Sequence, residues 1–256
     1  MESTNYSDKY VLFFDILGFS HKVALADKDL NARADVHKVM TIIRDSLCHN
    51  PNTGSVFSYF SDCIVVSTNR SIEGMQDMIN SIRILTCNLL NYGHLSRGAL
   101  TAGLIHHDSD FVYGLPLIQA HSLEQNSAVY PRTIISEDVE ADLEKYGDQI
   151  KFNFAVDNDG FVYLHYLIEY ANYANFRMSP GTVVLDYSAL HIIDHINNQL
   201  NQFEGRVLDK VKWFQKYWNE TVAIHGIFDR IESDAPSRLP RGAANFIVRR
   251  GINEIY

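Results

Sequence analysis

Tyr10-Val11-Leu12-Phe13-Phe14-Asp15-Ile16-Leu17-Gly18-Phe19-Ser20 is the stretch on which the architecture turns. The β-branched, aliphatic and aromatic run from Tyr10 to Phe14 is the pattern of a buried strand; it stops at Asp15, with Gly18 close behind. Beyond it, Val23, Leu25, Val36, Val39, Met40, Ile43 and Leu47 recur mostly at three- and four-residue spacing with charges between them. That period predicts helix from Phe19 to about His49, interrupted near Asp29.

The turn signal Asn50-Pro51-Asn52-Thr53-Gly54 leads into Val56-Phe57-Ser58-Tyr59-Phe60 and Cys63-Ile64-Val65-Val66, two strands around Ser61-Asp62. This is a hairpin with an acid at its tip. Met75, Met78, Ile79, Ile82, Leu85, Leu89 and Leu90 then share one helical face. A strand over 97–105, a short one over 111–113, a helix over 115–125 and a strand over 132–135 follow. The leading order, strand-helix-strand-strand-helix-strand, predicts an α+β fold of the ferredoxin-like plan, an antiparallel sheet backed by helices on one face.

After about residue 150 the pattern changes. The strands 152–156 and 161–168 flank the hairpin signal Asp157-Asn158-Asp159-Gly160, and 187–218 reads as helix. Pro236 and Pro240 precede a last short helix ending at Tyr256. The expected organisation is a catalytic domain over 1–150. A C-terminal hairpin and helical extension over 151–256 packs on it or at a dimer interface.

The 256 residues, 46% hydrophobic and 21% charged, describe a globular chain and exclude disordered and collagen-like classes. A net charge of −9 would repel a nucleic-acid backbone, and Arg238, Arg241, Arg249 and Arg250 read as a solvated surface, so no nucleic acid is expected as ligand. No apolar run approaches about 18 residues and no secretory segment is recognisable, which predicts a cytoplasmic chain with no membrane partner. Cys48, Cys63 and Cys87, odd in number and without C-x-x-C spacing, read as small hydrophobes in a reducing compartment.

A carboxylate ending a strand of buried residues needs a partner or a metal, because an unpaired buried charge costs several kcal/mol, roughly. Asp15 is that carboxylate and Asp62 is a second. A strand-helix-strand order sets the first strand beside the first strand of the hairpin, so the two acids can converge. Two carboxylates so close suit a divalent cation, and Mg²⁺ takes one or two carboxylates plus phosphate oxygens. The alternative is that Asp15 caps the following helix and Asp62 is an ordinary turn residue.

The chain resembles class III nucleotidyl cyclases. Phe14-Asp15-Ile16-Leu17-Gly18-Phe19-Ser20 is similar to their F-x-D-I-x-G-F-[ST] start, and Phe60-Ser61-Asp62-Cys63 to their hairpin G-D-x, with Ser61 in place of glycine. Arg97-Gly98-Ala99-Leu100-Thr101-Ala102-Gly103 keeps the spacing of their fourth strand, and 114–124 resembles their G-N-x-V-N-x-A-x-R-x-E helix. The matches span about 10–136.

The resemblance implies two Mg²⁺ or Mn²⁺ ions per site, held by Asp15, Ile16 and Asp62. It implies triphosphate binding by Leu17, Gly18, Phe19 and Ser20, whose amides open a helix beside a glycine that permits close approach. The transition-state Asn and Arg fall on Ile118 and Ser122, which carry no charge, so another cation is required. Arg97 is the candidate, against the alternative of a structural ion pair, with Arg132 and Lys22 behind it. The purine-reading positions fall on Ser58 and Phe111, so purine readout is missing, and Tyr59 beside them could meet a pyrimidine.

This profile and the tail Arg206-Val207-Leu208-Asp209-Lys210-Val211-Lys212-Trp213-Phe214-Gln215-Lys216-Tyr217-Trp218-Asn219 are similar to the Pycsar pyrimidine cyclases of bacterial anti-phage defence. The resemblance implies conversion of UTP to cyclic UMP, with CTP to cyclic CMP as the alternative. It implies a homodimer with sites at its interface, and a separate effector protein activated by the product. A degenerate domain that binds a nucleotide without catalysis is the rival reading, motivated by Ile118 and Ser122.

His106-His107-Asp108-Ser109-Asp110 does not read as a metal site, because neighbouring strand residues point to opposite faces. A solvated hairpin tip is expected there.

Overall fold

A computed structural model describes residues 6–47, 49–61, 63–150, 153–168, 189–225, 249–250 and 253–254. Its first part runs β1 (Ser7–Ile16), α1 (Phe19–Ala26), α2 (Leu30–Ser46), β2 (Val56–Phe60), β3 (Cys63–Asn69), α3 (Ile72–Asn91) and β4 (Ser96–His107). β5 (Val112–Gly114), α4 (Leu115–Asn126), β6 (Thr133–Ile135) and α5 (Glu137–Tyr146) follow. β7 (Asn153–Val156), β8 (Val162–Leu164), α6 (Ala189–Gln202), α7 (Gly205–His225), β9 (Arg249–Arg250) and β10 (Asn253–Glu254) complete the described elements.

The strands form one sheet in the order β10-β9-β7-β8-β6-β4-β1-β3-β2, with β5 paired to β4. The first four strands therefore lie as β4-β1-β3-β2, the ferredoxin-like arrangement read from the sequence. One detail differs: β1 pairs with β3, the second strand of the hairpin, rather than with the first. A crossover that skips one position leaves room for the returning strand. The sheet is also mixed, since β4 and β6 are parallel while the other pairs are antiparallel.

β1 is covered on both faces. Tyr10, Leu12, Phe14 and Ile16 join the cluster that holds Val39 and Ile43 of α2 and Met75, Met78, Ile79, Ile82, Leu85 and Leu89 of α3. Val11 and Phe13, alternating with them, pack with Val65, Ile105 and Ala120 of α4. The expectation of helices on one face is thus corrected. A strand that is apolar at every position has no solvent face, and α4 supplies the second cover.

Side-chain caps begin two of these helices. Asp29 accepts from Asn31 N at 2.9 Å to start α2, and Ser71 accepts from Gly74 N at 3.1 Å to start α3. Beyond the core, α6 and α7 contribute Ile192, Ile196, Val211, Phe214, Tyr217 and Trp218 to a cluster with Ala99, Ala128, Ile134 and Tyr163. The final helix expected before Tyr256 is not found among the described residues, where 249–250 and 253–254 are strand and 226–248 lie outside. Cys87 is buried, Cys63 half-buried, and Cys48 lies outside the described residues. Among the described residues no helix is long and apolar enough to cross a membrane.

Ser61 has φ 54°, the left-handed region, at the tip between the paired residues Phe60 and Cys63. A side chain there costs about 1–2 kcal/mol that glycine avoids, partly offset by glycine's larger unfolded-state entropy. Ser61→Gly should raise stability by about 0.5–1 kcal/mol, read as a higher urea midpoint at unchanged m-value; a lowered midpoint would contradict the strain.

Candidate active site

Asp15 occupies the last turn of alternation in β1, on the face shared by Val11 and Phe13 that α4 covers. Its register partners are Cys63 of β3 and Arg97 of β4, so the three residues form one row across the middle of the sheet. Arg97 Nε–H is directed at Asp15 Oδ2, 3.1 Å away. Arg97 Nη1 donates to the carbonyls of Glu124 at 3.5 Å and Ala128 at 3.3 Å. Glu124 Oε1 lies 2.6 Å from Arg97 Nε but off the line of its single N–H, and remains buried without a hydrogen bond. Asp15 and Arg97 are 17% and 16% exposed at the side chain, so the pair sits at the base of an opening rather than on the surface.

Asp15 does not cap α1. The cap position is Gly18, at φ 75° and with no side-chain cap, and Leu17 N donates to Leu95 O at 2.9 Å to hold the loop against β4. A Cβ built on Gly18 would meet nothing within 4 Å, so open space stands over the first amides of α1. That space beside a helix start is the setting in which backbone N–H groups receive phosphate. Asp62 lies outside the described residues. Its chain neighbour Cys63 is the residue directly opposite Asp15.

Two charged residues of this region were not singled out in the sequence. Glu124 closes the helix pattern that begins at Gly114, and Lys210 stands in the 206–219 tail. Neither is close to Asp15 in the chain, and only the folding of α4 and α7 onto one sheet face brings them near. Lys210 is half-buried, and burial lowers its pKa together with Arg97, while Asp15 and Glu124 oppose that shift.

The weaker cation candidates are committed elsewhere. Lys22 Nζ is 2.7 Å from Asp35 Oδ2. Arg132 is fully buried, paired with Asp157 and Asp159 and enclosed by Tyr130, Tyr163 and Trp213, which makes it a structural residue of the β7–β8 hairpin. Arg97 carries both readings given above, since it is ion-paired and also faces the candidate metal ligand. Ile118 and Ser122 are exposed on α4.

The base-reading candidates separate. Ser58 lies on the same face as Asp15, through the register Ser58, Val65, Phe13. Tyr59 points to the other face and stacks on Phe57 with centroids 6.4 Å apart. Phe111 is 65% exposed in the turn between β4 and β5, a turn held by Asp108 Oδ1, which accepts the amides of Asp110 and Phe111 at 2.8 Å each. One chain therefore does not gather Ser58 and Tyr59 on one surface.

The solvated hairpin tip expected over 106–110 is found at Ser109 and Asp110, exposed in the β4–β5 turn, but not at the two histidines. Both histidines are 7% exposed on β4, which continues through them to pair with β5. His107 Nδ1 is 2.8 Å from Ser67 Oγ and Nε2 is 3.1 Å from Ser58 Oγ. His106 Nε2 meets Asp108 Oδ2 at 2.9 Å and the ring stacks on Tyr113. The two imidazoles have separate partners and do not chelate together. Among the described residues no group of three or more His, Cys, Asp or Glu side chains forms a metal site.

No protein-family description matches the chain, and no curated protein matches it. Solved structures do. A bacterial light-regulated adenylyl cyclase is 16% identical, with a TM-score of 0.44 over 62% of this chain and 51% of that one. A class III adenylyl cyclase-like ATP-binding protein from Pseudomonas aeruginosa is 15% identical, with a TM-score of 0.40 over 54% of this chain and 35% of that one. The catalytic core of a rhodopsin-guanylyl cyclase with converted specificity, in complex with ATPαS, is 15% identical, with a TM-score of 0.42 over 62% of this chain and 94% of that one. The chain spans about half the length of the first and about a third of the second.

Glu124 supplies a test of the cluster's electrostatics. Burial pushes its carboxyl up to about 7, Arg97 opposing the shift and Asp15 adding to it. Because the folded pKa stands above the unfolded value of 4.5, the proton's contribution to stability is complete below pH 4.5 and is lost as pH rises through 7. Glu124→Gln should exceed the unsubstituted chain in stability at pH 8 by on the order of 2 kcal/mol, with the gap narrowing at pH 5. Equal stability differences at the two pH values would show that Glu124 is not held in this way.

Proposed function

We propose that this chain is a metal-dependent pyrimidine nucleotide cyclase that converts UTP to 3′,5′-cyclic UMP and pyrophosphate. The observation that carries the reading is Asp15 at the end of a doubly covered strand, opposite Cys63 of the acid-tipped hairpin, with left-handed Gly18 leaving space over the start of α1. The F-D-I-L-G-F-S motif supplies those three features together.

The donor set fits a hard divalent cation, since carboxylate and carbonyl oxygens with open space alongside are what Mg²⁺ and Mn²⁺ accept. Asp15, Asp62 and the Ile16 carbonyl would hold the ions, which supply Lewis-acid stabilisation of the ribose 3′-oxygen and of the triphosphate. The amides of Gly18, Phe19 and Ser20 would receive the β- and γ-phosphates, whereas the Leu17 amide expected to join them is committed to Leu95 O. Arg97 orients the Asp15 carboxylate and adds positive charge beside the phosphorus as negative charge builds on it. The 3′-hydroxyl would give up its proton to water as its oxygen bonds to the α-phosphorus in line, the bond from that phosphorus to the bridging oxygen of the β-phosphate would break, and pyrophosphate would leave.

Ser58 and Phe111 would read the base, with metal ligands from one protomer and base contacts from its partner. Tyr59, on the opposite face of β2 from Ser58, would not reach the same base from that protomer. Exposed Leu104, Phe111, Tyr113, Leu115 and Ile118 around β4, β5 and α4 support the homodimer, because such neighbouring apolar side chains call for cover. Anti-phage defence and a separate product-activated effector rest on the likeness to Pycsar cyclases and their tail.

Incubation of the pure chain with Mn²⁺ or Mg²⁺ and each of UTP, CTP, ATP and GTP should yield cyclic UMP above the other products. Asp62→Ala, with unchanged circular dichroism, should lower the rate by at least about 100-fold. No cyclic product from any of the four would contradict the reading, and metal-dependent binding without pyrophosphate release would identify a nucleotide-binding domain instead.

A further inference from the structure

Packing of α7 brings Lys210 to the candidate site. Leu208 and Val211, which flank it, belong to an apolar cluster that also takes in Leu17, Leu123, Ala99 and Ala128. Each of these four adjoins the site: Leu17 precedes Gly18, Leu123 precedes Glu124, Ala99 shares a face of β4 with Arg97, and the Ala128 carbonyl accepts from Arg97. Lys210 heads the helical stripe of Phe214 and Tyr217, both fully buried, so its stem lies on the inward side of α7. Among the described residues its ammonium makes no ion pair and no hydrogen bond, although the charges of Arg97, Asp15 and Glu124 all act on it. Arg97, by contrast, is bound to Asp15 and to two carbonyls. A half-buried cation that is repelled by a neighbouring guanidinium and partly stripped of water is stabilised by a bound anion. The open space over Gly18 at the start of α1 offers amide N–H groups to that anion.

We infer that Lys210 is a catalytic residue whose ammonium touches the phosphate chain of the nucleotide and takes up the negative charge that grows there during cyclisation. The inference deepens the proposed function and rests on it. The C-terminal extension then shares in the chemistry and supplies the cation that Ile118 and Ser122 do not. Arg97 is fixed by its bonds, whereas Lys210, on a flexible four-carbon stem, follows the phosphate oxygens as their charge shifts.

The test takes inorganic tripolyphosphate with Mg²⁺ as its probe, alongside turnover of UTP by the full chain. Lys210→Met, which keeps most of the stem, should weaken tripolyphosphate binding about tenfold and lower kcat about 100-fold, at a melting temperature close to that of the unsubstituted chain. Lys210→Arg should recover most of the binding. Lys212→Met, two positions on and turned away from the stripe, should leave both measurements unchanged. Acetic anhydride labelling read by mass spectrometry needs no variant: Mg²⁺ with tripolyphosphate should slow acetylation of Lys210 severalfold and that of Lys212 not at all. A lysine that only balances Asp15 and Glu124 would gain no such protection. No tripolyphosphate binding, equal affinity or kcat in Lys210→Met, or acetylation of Lys210 that the probe does not slow would each overturn the inference. A chain that binds tripolyphosphate but cyclises none of the four nucleotides contradicts the cyclase reading, and the affinity and the labelling then judge the Lys210 contact by themselves.

Discussion

The contact between Arg97 and Asp15 is the constraint around which the molecule is arranged. β1 is apolar on both faces and ends in a carboxylate, and a charge in that position must be answered from a neighbouring strand. The answer comes from β4, whose arginine is in turn tied to the backbone of α4 at Glu124 and of the segment just after it at Ala128. One ion pair thereby links the central strand, the second-face helix and the loop that opens α1. Glu124, 2.6 Å from the same guanidinium, has its carboxyl pushed up to about 7 by burial, with Arg97 opposing the shift.

Around this link two polar features share one face of the sheet. In the proposed function the end of β1 and the start of α1 would offer oxygen ligands and open space over the amides after Gly18 to a metal-bound polyphosphate. Further along the same face the buried imidazole of His107 links the hydroxyls of Ser67 and Ser58. The first is a matter of charge and the second of hydrogen-bond polarity, and they sit on one surface because β2, β3 and β4 all present alternate residues to it.

Much of the fold was legible because its periods are strong. The unbroken run of β1, the helical face from Met75 to Leu90 and the turn at 50–54 each allow one reading, and their order leads to β4-β1-β3-β2. What escaped depended on contacts distant in the chain. The pairing of β1 with β3, the cover supplied by α4 and the burial of His106 and His107 depend on which distant elements meet the central strands. Polar residues such as histidine carry no signal of that in their immediate neighbours. Asp15 could be singled out because a charge after Val-Leu-Phe-Phe conflicts with its surroundings. Glu124 and Lys210 lie in ordinary helical text, and Arg132 resembled a free cation until Asp157 and Asp159 folded against it.

The central claim is that Asp15 exchanges part of its hold on Arg97 for a divalent cation shared with Asp62 and a ribonucleotide triphosphate. A crystal structure of the chain with Mn²⁺ and a non-cyclisable UTP analogue, with manganese located by its anomalous scattering, measures this directly. The expected result is manganese bonded to carboxylate oxygens of both Asp15 and Asp62 and to phosphate oxygens lying over Gly18. Manganese and phosphate bound elsewhere, with Asp15 still held only by Arg97, would contradict it.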